Sequence, residues 1–127
     1  MIDRQQLHEF IKYYGKDILI EISDMLISEY DERFRNLKAN VAARNYKDLQ
    51  FNAHSLKGVI ANFMDPVTIE QSKRLDQLAK TAIEHWEKSD ETTRKEIEAG
   101  IEKALIDIEK SSALLIEELK KIKKEIT

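Results

Sequence analysis

Three histidines, His8, His54 and His85, are the side chains here whose ordinary titration lies near neutral pH. The chain has no cysteine, which removes thiolate nucleophiles, thiolate metal sites and disulfides. The histidines fall on three separate predicted helices, and none has the paired spacing of a helical metal site such as His-Glu-x-x-His. His8-Glu9 alone is not a ligand set, and His85 beside Trp86 reads as a surface residue at a helix end. No metal site is expected. His54 is different because of its neighbours in Ala53-His54-Ser55-Leu56-Lys57-Gly58. Lys57 is three residues on, so the two side chains are adjacent on a helix. A cation there favours the neutral, nucleophilic imidazole and would offset negative charge on a group attached to the ring. Gly58 is poor helix material. Its place is explained if a second protein must bring its own site against the imidazole, and Ala61 keeps that approach open.

Five helical stretches must position these residues. The first is short, about Asp3 to Tyr14, with Leu7, Phe10, Ile11 and Tyr14 at helical spacing and Gly15 as a break. The second runs from about Asp17 into the low forties, with Leu19, Ile22, Leu26, Tyr30, Phe34, Leu37 and Val41 recurring every three or four residues. The third starts at Asn45, a good N-cap, with Asp48 in its first turn. Its apolar positions are Tyr46, Leu49, Ala53, Leu56, Ile60 and Phe63. Asp65-Pro66 opens the fourth, where Val67, Ile69, Leu75, Leu78, Ala82 and Ile83 are the apolar positions. Ser89 or Asp90 caps the fifth, whose apolar residues from Ile97 to Ile126 keep near-heptad spacing. At 1.5 Å per residue the fifth helix is roughly 50 Å long and the third and fourth about 30 Å each. The C-terminal part of helix 90–125 is therefore expected to project beyond the others. Short connections imply antiparallel neighbours, so the expectation is one all-α domain over 1–127. Its form would be an up-and-down antiparallel four-helix bundle with a short extra N-terminal helix. On a helical wheel His54 lies roughly 130° from the middle of the third helix's apolar face. It should be at the surface.

Charge and composition exclude several classes. The formal net charge is −3, with acidic and basic residues interleaved, which is not a nucleic-acid footprint. Trp86 and the tyrosines read as packing residues, and Lys120-Lys121-Ile122-Lys123-Lys124 as a solvated helix end. No apolar run approaches the roughly 18–20 residues of a membrane span. The opening MIDRQQLHEF lacks the pattern of a signal peptide, so a cytoplasmic monomer is expected. There is no Gly-x-Gly loop and no Gly-Lys-Ser/Thr phosphate cradle, which argues against an ATP-dependent kinase.

The stretch His54-Ser55-Leu56-Lys57-Gly58, with Leu49 before it and Ala61-Asn62-Phe63 after it, resembles the signature of the histidine-phosphotransfer (HPt) domain family. The sequence detail covers about residues 49 to 63. The resemblance implies a two-component phosphorelay in which His54 accepts a phosphoryl group through Nε2, Lys57 interacts with it, and Gly58 gives the partner clearance. It implies receiver domains of response regulators or of a hybrid sensor histidine kinase as partners. These receivers would supply Mg²⁺, with no cofactor intrinsic to this chain. The docking surface would comprise Gln50, Ser55, Gly58, Ala61 and Met64, completed by exposed apolar residues of the first two helices. One departure is visible: many family members have glycine ten residues after the histidine, where this chain has Met64. The competing expectation is a non-catalytic helical scaffold or partner-binding module, suggested by the long near-heptad fifth helix.

Overall fold

The computed structural model describes residues 1–127 and is all-helical. Helix α1 spans Arg4–Tyr14, α2 Lys16–Ala42, α3 Tyr46–Ile60, α4 Pro66–His85 and α5 Glu91–Ile126. Each boundary has a local cause. Asp3 accepts hydrogen bonds from the Gln5 and Gln6 amides at the start of α1. Gly15, at φ 89°, lets the chain turn sharply from α1 into α2. The Asn45 side chain caps α3 through the Asp48 amide. Asp65 caps α4 through the Thr68 amide and hydroxyl, with Pro66 at the first helical position. Of the two cap candidates for α5, Asp90 takes the role, accepting from the Thr93 amide at 2.8 Å.

Helix α2 packs on α3 and α5, and α4 packs on the same two, so four helices close a ring; α1 rests on α2. Side-chain pairs give the directions. Along α2 and α5, Asp24 meets Lys123, Lys38 meets Glu109 and Arg44 meets Glu98, so the two run antiparallel. Arg33 with Ser55 and Asn40 with Asn52 show the same for α2 and α3. One core fills the ring. Leu49, Leu56, Ile60 and Phe63 from the third helix and its last turn are buried, as are Leu19, Leu26, Phe34 and Leu37 from α2. Burying each such side chain contributes roughly 1.5–3 kcal/mol before entropy is counted. At the α4–α5 turn, Trp86 packs against Tyr46 with ring centroids 5.1 Å apart and planes tilted by 52°, and the Arg94 guanidinium lies over its ring. No helix is long and apolar enough to cross a membrane.

Two expectations change. The end of α5 does not project free: Leu119 and Ile122 are buried, in one core cluster with Ile2, Leu7 and Leu19. Glu118 accepts from the Ile2 amide and pairs with Arg4. The residues before α2 thus add a layer that the length of α5 needs. On α4, Val67 and Ile83 face outward, while Thr68, Ser72 and Asp76 join Leu75, Ala79 and Ala82 on the buried side. Local capping explains part of this inversion, because Thr68 and Ser72 hydroxyls satisfy themselves on Asp65 and on the Ile69 carbonyl.

Ser112 is the buried hydroxyl without a partner. Replacing it removes a desolvated polar atom and one small volume. Ser112→Ala should leave stability unchanged or raise it by up to about 1 kcal/mol in urea unfolding. A loss greater than that would show that the hydroxyl has a partner after all.

Candidate functional site

The apolar stripe of α3 faces the core and leaves Gln50, His54 and Lys57 on its flank toward α4. These are spaced four and three residues apart, so they stand one above another along one side of the helix. From α4, Asp76 meets all three. Its side chain is only 4% exposed, whereas that of His54 is 60% exposed. Lys57 Nζ lies 2.8 Å from Asp76 Oδ2, and Gln50 Nε2 donates to Oδ1 at 3.1 Å. His54 Nδ1 is 3.4 Å from Oδ2, and Lys80 Nζ is 3.8 Å from the same oxygen.

The electrostatics follow from this arrangement. Burial pushes the Asp76 carboxyl upward, but hydrogen bonds from Lys57, Gln50 and His54, with the charge of Lys57, outweigh it and hold the group below its ordinary range. A carboxylate can only accept hydrogen bonds. Its contact with Nδ1 therefore favours the tautomer with hydrogen on Nδ1. In the neutral ring this leaves the lone pair on Nε2, at the opposite edge of the imidazole. The arrangement presents an exposed, oriented nucleophilic nitrogen with cations beside it. No group of three or more His, Asp or Glu side chains comes together as a metal site would require.

The sequence-derived residues divide as follows. His54, Ser55, Gly58 and Ala61 are exposed on one face of α3 and its last turn. A Cβ built on Gly58 would meet nothing within 4 Å, so the fold itself does not require glycine there. Ser55 accepts a hydrogen bond from Arg33 of α2 at 3.2 Å. Gln50 is half-buried and faces Asp76, so its amide is committed inside the site. Met64 must be removed from the docking set. It is buried at 8% exposure, because the chain tightens into a 3₁₀ turn at Ala61–Phe63 and reverses through Met64 at φ 54°, folding the side chain inward. Lys57, assigned to an attached anion, is held by Asp76 in this state.

Periodicity alone overlooks two residues. Asp76 carries a usable signal, since it stands beside Leu75 and three before Ala79, where a lone carboxylate on a buried stripe calls for a partner. Phe51, three residues before His54, is 73% exposed. It lies off the apolar stripe of α3, and a large aromatic in that position has no core role. On the first two helices, Tyr13, Tyr14, Ile18 and Met25 are the exposed large apolar residues.

Asp76→Asn should destabilise the protein by about 1–3 kcal/mol at neutral pH, since Lys57 loses its counter-charge and one of the two acceptor oxygens becomes a donor. The folded-state pKa of Asp76 is depressed, so its stabilisation is fully present above the unfolded value near 3.9 and is lost as pH falls through the lower folded value. The gap between wild type and variant in urea melts should therefore close on acidification. A gap independent of pH would remove Asp76 from this role.

No protein-family model matches the chain, and neither does any curated protein or solved structure.

Proposed function

We propose that this chain is an HPt domain, in which His54 takes a phosphoryl group from the aspartyl phosphate of a receiver domain and relays it to another receiver aspartate. One observation carries the reading: an exposed imidazole is held at Nδ1 by a buried carboxylate, leaving Nε2 free, beside a lysine and a glycine that the fold does not need. The ring of α2 to α5 with the short α1 fits the up-and-down four-helix bundle that the family resemblance implies. Met64 also fits, since φ 54° is the left-handed region that glycine favours, and glycine is common at this position in that family.

In the transfer, the Nε2 lone pair of His54 attacks phosphorus in line with the leaving oxygen. The bond from phosphorus to the aspartyl oxygen breaks, and its electron pair leaves with the carboxylate. Nδ1 keeps its hydrogen throughout, facing Asp76. The ring thus becomes cationic on attachment, and onward transfer expels a neutral imidazole, a far better leaving group than imidazolate. The chain contributes orientation and charge; Mg²⁺ and most of the charge neutralisation come from the receiver. Phe51, Ser55, Gly58 and Ala61 on the third helix and its last turn, with Ile18 and Met25 of α2, form the docking surface. The setting for such a relay is the cytoplasm, and the chain acts as a monomer.

Incubation with phosphorylated receivers and Mg²⁺ should place acid-labile, alkali-stable phosphate on the wild type and none on His54→Gln. Failure across a panel of receivers active on a known HPt domain would sink the relay and favour the non-catalytic scaffold. Gly58 separates docking from folding. A Cβ at either Gly58 or Gly100 would meet no atom within 4 Å, so Gly58→Gln and Gly100→Gln should each stabilise the helix by about 0.5–1 kcal/mol. Only Gly58→Gln should slow transfer, by about tenfold or more. Equal transfer rates for both variants would mean that no partner approaches at Gly58.

A further inference from the structure

Asp76 Oδ2 is claimed by more groups than it can serve well. Lys57 Nζ holds it at 2.8 Å, His54 Nδ1 stands off at 3.4 Å, and Lys80 Nζ waits at 3.8 Å. Lys80 is on α4 itself, four residues after Asp76, and its side chain is 43% exposed, so it has room to move. No other carboxylate lies within ion-pair distance of either lysine. Of the other charges lining the groove beside Asp76, Glu70, Lys73 and Arg74 stand on α4 with no ion-pair partner within 4 Å, so neither of those cations reaches Asp76. Arg33 of α2 pairs with Glu29, and Lys103 of α5 pairs with Asp107 across the groove beside Asp76.

A phosphoryl group on His54 Nε2 would bring about two negative charges to the exposed edge of the ring. Lys57, adjacent on the same helix, is drawn toward it. Asp76 cannot follow, because it is buried. The ring, cationic on attachment, faces it at Nδ1, yet the phosphoryl group, Asp76, the ring and Lys57 together then carry about one uncompensated negative charge. We propose that Asp76 exchanges one ammonium for another: Lys57 holds it in the unmodified protein, and Lys80 closes on it when the phosphoryl group on His54 draws Lys57 away. This rests on His54 being the phosphoacceptor. The exchange makes Lys80 a positioning residue. It frees Lys57 for the phosphoryl oxygens and keeps Asp76 ionised to accept from Nδ1–H.

The test needs no receiver. Phosphoramidate can phosphorylate an accessible imidazole: Nε2 attacks phosphorus, the phosphorus–nitrogen bond breaks, and ammonia leaves. Ring pKa values of His54 are then read by NMR titration in the free and phosphorylated forms of wild type, Lys80→Met and Lys80→Arg. Removing a cation beside Asp76 strengthens its field at Nδ1 and raises the ring pKa. In Lys80→Met the rise should be larger in the phosphorylated form than in the free form. Lys80→Arg should restore both values. Equal rises in the two forms, or none, would overturn the exchange while leaving His54 as acceptor. No adduct on His54 would overturn the phosphoacceptor reading and the exchange with it.

Discussion

A carboxylate almost wholly removed from water has to be surrounded by donors, or the fold that buries it is destabilised by several kcal/mol. Asp76 imposes that condition on the pairing of α3 with α4. Its donors Gln50, His54 and Lys57 stand along one side of α3, and they reach a single carboxylate only in one register. Gln50 and Lys57 are about 10.5 Å apart along α3, so a slip of one helical turn, about 5.4 Å, would leave Asp76 at one end of that span and out of reach of the donor at the other. The side chain proposed to accept the phosphoryl group and the alignment of the molecule's two central helices are therefore governed by the same contact.

That contact also explains the division of labour on α3. Leu49, Ala53, Leu56 and Ile60 anchor the helix in the core, and each is nearly inaccessible. The imidazole, on the far side of the same rigid element, inherits that stability without being enclosed. A group on a loop would have to be ordered when the partner arrives. Here the ordering is completed on folding, so the proposed encounter with a receiver would have less entropy to overcome.

Much of this is legible in the residues. Helical periodicity locates α3 and its inward stripe, Asn45 and Asp65-Pro66 mark the starts of α3 and α4, and the wheel puts His54 outside. What periodicity misses is a polar residue that faces inward. Thr68, Ser72 and Asp76 give the buried side of α4 a polar look, so a count of apolar residues selects the outward Val67 and Ile83 instead. Each of the three is satisfied by a partner that hydropathy does not see: a capping carboxylate, a carbonyl one turn back, or donors on another helix. Met64 shows the complementary limit. Its exposure depends on one left-handed residue in a turn, and a helical count cannot follow the chain through it.

The single tryptophan gives the molecule a built-in optical probe. Trp86 sits where α4 ends, against Tyr46 at the start of α3 and within 6.0 Å of the guanidiniums of Arg44 and Arg94. Tyr46 is eight residues before His54, roughly 12 Å along the helix. Indole emission therefore reports on the seam between α3, α4 and α5 at one end of the ring. Chemistry at the imidazole should leave that emission unchanged, while fraying of the α4–α5 turn would register at once. The same chain thus carries an indicator of its integrity that is spectroscopically separate from the proposed phosphoacceptor.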